Sequence, residues 1–175
     1  MTGRAAEGRT GDVARSTKPW LALAAWIGGS FAAGAIGGIA STRAPEFYAE
    51  LVKPAWAPPS GVFGPVWTAL YVMMAVAAWL VWRQGGWRGP NGTALRLYIV
   101  QLALNALWTW LFFVWHQGAW AFAEILLLIG VVAVVAVLFA RARPIAGLLL
   151  VPYLAWLLFA AALTFAVWQR NPGVL

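Results

Sequence analysis

The chain has 175 residues, of which 63% are hydrophobic and 10% charged, and its mean hydropathy is +0.77. An ordinary soluble domain carries roughly 25% charged residues, so a soluble fold of this length could not cover so much apolar surface, and lipid is the solvent that fits. With no cysteine and a single histidine, His116, the chain excludes a disulfide framework, a thiolate nucleophile, a Cys-based metal site, a multi-histidine metal site and haem held by two histidines. The net charge of +7 does not point to nucleic acid, because the basic residues fall between apolar stretches, where they set topology.

Residues 1–18 are small, polar and basic, with Arg4, Arg9, Arg15 and Lys18, and read as a disordered N-terminal arm. The apolar run that follows is too long for a signal-peptide core, so cleavage is not expected. No charge interrupts Pro19 to Thr42, which predicts a first spanning helix near 20–40. Its small residues Ser30, Gly34 and Gly38, and Ala33 and Gly37, recur four apart. That spacing lets helix backbones approach closely, and it reads as packing inside the bundle before a dimer face.

Residues 41–63 read as a loop, because Pro45, Pro54, Pro58 and Pro59 and the charges of Arg43, Glu46, Glu50 and Lys53 prevent a spanning helix. A second span is predicted near 64–83, with Pro65 in its first turn, where a missing N–H costs nothing. GGWRGPNG at 85–92 is a turn by composition. From Leu97 to Ala140 the only ionisable groups besides tyrosine are His116 and Glu124, and the run is too long for one helix. His116-Gln117-Gly118 divides it into spans near 94–115 and 119–140. Arg141, Arg143 and Pro144 end the fourth, and a fifth runs near 145–169. The fold class is therefore all-α, a membrane bundle of five transmembrane helices. With the N-terminus inside, inner segments hold nine basic residues and outer ones hold Arg43, Lys53 and Arg170, a positive-inside pattern that places the N-terminus in the cytoplasm.

Within the spans, Gln101 and Asn105 lie four apart with Trp108 three further on, so they share a face that should turn inward. They either join helices or line a polar spot in a cavity. Trp67 and Tyr71 are also four apart, as are Trp156 and Ala160, with Thr164 after them. Aromatics at this spacing are usually packing. Glu124 is at the outer interface, paired with another helix, or a proton relay, and its place near a helix start favours the interface. His116 reads as a solvated turn residue. No catalytic triad, carboxylate pair or phosphate loop is present. GGSFAAGAIGG lies inside the first span and is not a nucleotide fingerprint.

Lys53-Pro54-Ala55-Trp56-Ala57-Pro58-Pro59, followed by Gly64-Pro65-Val66-Trp67-Thr68-Ala69-Leu70-Tyr71, resembles the TspO/MBR family, the tryptophan-rich sensory proteins of bacteria and the mitochondrial translocator protein. Gln101-Leu102-Ala103-Leu104-Asn105 with Trp108, Pro152-Tyr153-Leu154-Ala155-Trp156, and Trp168 with Asn171 carry the resemblance over about residues 20–172.

The resemblance implies a five-helix bundle, a homodimer, and a cavity beneath a lid formed by the first loop. It implies a protoporphyrin IX or haem-type tetrapyrrole as ligand, with sterol-like lipids and benzodiazepine-type compounds as further candidates, and a regulatory or stress-sensing role. The implied ligand residues are Trp56 on the lid, Trp67 and Tyr71, Asn105 and Trp108, and Trp156 and Ala160. No cofactor, metal or nucleic acid is expected beyond that ligand and membrane lipid. A bacterial cell membrane is the expected location. Arg43 or Lys53 is expected to meet a ligand carboxylate. The chain has Ala55 where several members carry Trp, Thr164 where Asn is common, and Phe165 where a cholesterol motif needs Tyr. One alternative is light-dependent porphyrin degradation, with Trp67 and Trp156 as the oxidised or catalytic groups. The other is a structural membrane protein without a ligand.

Overall fold

The computed structural model describes residues 19–175, so the arm expected at 1–18 lies outside the described residues. The described residues form seven α-helices: α1 (Pro19–Ala40), α2 (Ala44–Glu50), α3 (Phe63–Trp82), α4 (Gly92–Phe113), α5 (Gly118–Ala142), α6 (Pro144–Leu148) and α7 (Val151–Arg170). Five segments are long and apolar enough to cross a membrane, and α6 with α7 makes one of them, Pro144–Arg170. At about 1.5 Å per residue, 20 or more residues cover the ~30 Å hydrocarbon core. The chain is an integral membrane protein of five spanning helices.

The spans are apolar all round, as helices flanked by lipid must be. What distinguishes their faces is residue size and polarity. Met74, Ala75, Ala77 and Ala78 of α3 are fully buried, as are Leu95 and Tyr98 of α4, Leu128 and Phe139 of α5, and Tyr153 of α7. Ile36, Leu126, Val134 and Leu158 are left exposed, which costs nothing in lipid. Helix α5 packs against α4 on one side and α7 on another, while α1 lies against α3 and α4.

The small residues of α1 serve this packing. A Cβ added at Gly34 would sit 2.8 Å from the ring of Tyr71, and one at Gly37 would sit 3.1 Å from Oγ1 of Thr109. Ser30 donates to the carbonyl of Trp26 at 2.8 Å and shares a 2.7 Å hydrogen bond with the hydroxyl of Tyr98.

The segment after α1 departs from the expected plain loop. Ala44–Glu50 is helical, with proline in its first turn, where the fixed φ favours a helix start. Lys53 holds the other end: its Nζ donates to the carbonyls of Tyr48, Ala49 and Leu51. Asn171, just past α7, clips this segment to the bundle. Its Oδ1 accepts from the N–H of Val52 at 2.9 Å, and its Nδ2 donates to the carbonyls of Val52 at 3.0 Å and Val167 at 2.7 Å. The α4–α5 turn reaches the same end of the bundle. There His116, at φ +53°, stacks flat on Phe47 of α2, with ring centres 4.3 Å apart.

Candidate functional site

Beneath α2, between α1, α3, α4 and α7, lies a cavity of about 340 Å³. That is the low end of the ~300–1,000 Å³ range of small-molecule sites. The cavity exists because α1 presents Gly34, Gly37 and Gly38 to it, with Ser41 just past its end, residues too small to fill the space opposite the large rings of α3 and α4.

Those rings form its walls. Trp67 and Tyr71 stand one turn apart on α3, their centres 5.8 Å apart, and Trp67 also packs edge-on to Tyr153 at 6.2 Å. On α4, Trp108 stacks on Phe112 at 5.4 Å with planes 10° apart. Phe63 meets Trp156 of α7 edge-on at 6.0 Å. Flat, rigid aromatic faces give contact area at little entropic cost.

One polar chain reaches the cavity. Tyr71 donates to Oδ1 of Asn105 at 2.6 Å, Asn105 Nδ2 donates to the hydroxyl of Tyr153 at 3.2 Å, and Tyr153 donates to Oε1 of Gln101 at 3.0 Å. The chain ties α3, α4 and α7 together at mid-bundle. Tyr71 and Asn105 line the cavity and Gln101 does not. The two amides thus divide the roles that spacing alone leaves open: Gln101 joins helices, and Asn105 joins helices and faces the cavity.

No charged side chain lines the cavity among the described residues. Lys53 spends its ammonium on three carbonyls and lies over the Tyr48 ring, 4.9 Å from its centre. Arg43 faces a separate surface hollow with Glu46, Glu50 and His116. Neither cation stands where a ligand carboxylate inside the cavity would meet it. Among the described residues no three acidic or histidine side chains gather as a metal site.

Of the seven ligand residues expected from the sequence, Trp67, Tyr71, Asn105, Trp108, Trp156 and Ala160 line this one cavity. Trp56 does not. It is 51% exposed and packs edge-on at 5.8 Å against Phe159, which does not line the cavity. Glu124 also departs from expectation. It is 8% exposed, and both its carboxyl oxygens are enclosed by the packed helices instead of reaching outward. Sequence reasoning passes over Tyr153, the hub of the polar chain, and gives Thr164 no ligand role, although it is buried and lines the cavity. The spacing of Thr164, eight residues after Trp156 on one helical face, is the signal that finds it.

The TspO/MBR family model matches residues 18–169. Among curated proteins, the chain is 44% identical over 129 residues to the translocator protein of Ovis aries, covering 73% of this chain and 76% of that protein. It is 38% identical over 159 residues to the tryptophan-rich protein TspO of Chlorobaculum tepidum, covering 89% of this chain and 99% of that protein. It is 40% identical over 144 residues to the protein CrtK of Rhodobacter capsulatus, covering 81% and 87%.

Proposed function

The chain belongs to the TspO/MBR family, and from that premise we propose that it is a membrane receptor or translocator that binds a tetrapyrrole such as protoporphyrin IX in the cavity under α2. One observation carries this reading: four large aromatic side chains, Trp67, Tyr71, Trp108 and Trp156, enclose a space where, among the described residues, Asn105 is the only amide and no lining side chain is charged. A flat macrocycle offers aromatic faces to such walls, and its polar edge suits an amide. Its carboxylates belong outside the uncharged wall. The same cavity chemistry suits a sterol-like lipid or a benzodiazepine-type compound, which are the competing ligands in the test.

The basic residues Arg83, Arg88, Arg141 and Arg143 lie at the end of the bundle opposite α2. The positive-inside rule assigns that end, and with it the N-terminus, to the cytoplasm of a bacterial cell. A homodimer formed through α1 fits the open space beside Gly28 and Gly29, where an added Cβ meets nothing within 4 Å. A regulatory or sensing role follows if occupancy of the cavity changes how α2 sits.

Titration of purified protein with protoporphyrin IX in the dark, read by tryptophan quenching, tests the reading. Saturation near one ligand per chain, weakened in Trp67→Phe and Trp156→Phe, is expected. Saturable binding that both substitutions leave unchanged places the ligand elsewhere. Repeating the titration under illumination separates binding from degradation, since degradation removes porphyrin absorbance only in light.

A further inference from the structure

Helix α2 has two faces. Ala44, Pro45 and Tyr48 line the cavity. Arg43, Glu46, Phe47 and Glu50 recur three or four residues apart on another face, and with His116 they rim a separate hollow of about 460 Å³. Its apolar part comes from Ile39, Trp110, Phe113 and Val114.

The hollow lies where two spans end. Ile39 is in the last turn of α1, and Phe113 is the last residue of α4. Ile39 and Val114 are 64% and 41% exposed, so beside the hollow the bundle offers apolar side chains to lipid tails. The charged rim stands just past the ends of these spans, at the depth of lipid head groups.

Its charges are of both signs and are not spent on each other. Among the described residues the side chains of Arg43, Glu46, Glu50 and His116 make no ion pair or hydrogen bond, whereas Lys53 gives its Nζ to three carbonyls and Arg170 donates to that of Ala166 at 2.8 Å. A guanidinium and an imidazole N–H donate, and carboxylates accept. Two carboxylates repel a purely anionic occupant, and among the described residues no three acidic or histidine side chains gather to hold a metal. An occupant that suits every group on the rim carries both a phosphate and an ammonium. In an ethanolamine phosphate a two-carbon link holds those charges about one helical turn apart, which is the step from Arg43 to Glu46.

We propose that this hollow is a binding site for a zwitterionic phospholipid with an ethanolamine head: Arg43 and His116 take the phosphate, Glu46 and Glu50 take the primary ammonium, and the acyl chains leave over Ile39 and Val114. A choline head presents no N–H to the carboxylates, so the site favours ethanolamine over choline. The site stands whatever fills the cavity on the other face of α2.

Native mass spectrometry of the full chain, released from micelles holding phosphatidylethanolamine, phosphatidylcholine or phosphatidylglycerol with the same acyl chains, tests the site. Phosphatidylethanolamine is expected to bind roughly fivefold to tenfold more tightly than phosphatidylcholine. Arg43→Gln should remove that preference, as should Glu46→Gln combined with Glu50→Gln. Arg43→Lys, which keeps the cation, should retain most of it, and Arg170→Gln, which removes a cation at the same end outside the hollow, should retain all of it. Phosphatidylglycerol, which the arginines at the other end of the bundle attract, should bind every variant alike and so report that each is folded. Equal binding of the ethanolamine and choline lipids overturns the site, and so does a preference that survives the hollow substitutions. A loss in Arg170→Gln as large as in Arg43→Gln, or a parallel loss of phosphatidylglycerol, overturns it in favour of general charge attraction. A dimer that falls apart in the hollow variants while lipid uptake stays the same overturns it as well, because the hollow is then an interface between copies.

Discussion

The hydroxyl of Tyr71 donates to Oδ1 of Asn105 at 2.6 Å, and this one bond makes the cavity wall and the interhelical network parts of the same structure. Asn105 passes the connection on to Tyr153 at 3.2 Å. Asn105→Leu should therefore lower stability and ligand affinity together. Interhelical hydrogen bonds in membranes average about 0.6 kcal/mol and reach about 1.7, so losing two should cost ~1–3 kcal/mol. Unfolding in mixed detergent micelles, followed by circular dichroism, checks the first effect. Tyr153 bonds Gln101 and Asn105 but does not itself line the cavity, so Tyr153→Phe should lower stability with little change in protoporphyrin affinity. A large affinity loss there would mean that the network, not the wall, sets binding.

Gly34 tests how tightly α1 must approach. An alanine Cβ there would lie 2.8 Å from the Tyr71 ring, which cannot retreat without loosening its bond to Asn105. Gly34→Ala should cost about 1–3 kcal/mol, the usual range for overpacking. Gly38→Ala, whose added Cβ meets nothing within 4 Å, should leave stability unchanged. The same unfolding assay, run on both, decides whether tight packing or helix propensity governs α1.

Helix α2 offers a pH test. Tyr48 of α2 donates to the carbonyl of Pro58 at 3.2 Å, and burial raises its phenol above the ordinary value of 10.0. The folded state thus holds this proton more tightly than the unfolded state does. Its contribution to the stability of this segment is full below about pH 10 and is lost as pH rises through the higher folded value. Amide exchange across residues 44–62 should stay flat from about pH 7 to 9, once corrected for intrinsic rates, and show extra opening above 10. Tyr48→Phe should abolish the extra opening; if it persists, another group is responsible.

The five spans are legible in the sequence because charge-free runs of about 20 residues have one stable solution in lipid. Faces within them are harder to read. A helix that is apolar all round gives no periodic signal, so Glu124 reads as interfacial from its distance to the helix start, whereas the packed helices enclose its carboxyl. Spacing does bring Trp67 to Tyr71 and Asn105 to Trp108, since residues three or four apart share a face. Helix α2 escapes because its evidence is tertiary: Pro45 suits a helix start as well as a loop, and the Lys53 ammonium that closes the other end reads in sequence as a free cation. Trp56 sits in the expected lid segment, but the clip between Asn171 and Val52 decides where that segment lies, and no local pattern records it.

Trp56 and Trp67 separate the cavity from its surroundings most directly. Trp67 lines the cavity and touches Tyr71 and Tyr153, while Trp56 rests on Phe159 outside it. Trp67→Phe keeps an aromatic face but removes about a third of the indole ring, and at roughly 25 cal/mol per Å² that loss is worth about threefold to fivefold in affinity. Trp56→Phe should stay within about twofold of the unsubstituted protein. Protoporphyrin titrations of the two variants, run side by side in the dark, make the comparison. If Trp56→Phe loses as much as Trp67→Phe, the lid must carry Trp56 over the ligand on binding, and a cavity of about 340 Å³ is then the closed form of a larger site. In that case Asn171→Ala, which frees Val52 from its clip, should speed ligand entry. With Trp56 uninvolved, the same substitution should change only the stability of the loop.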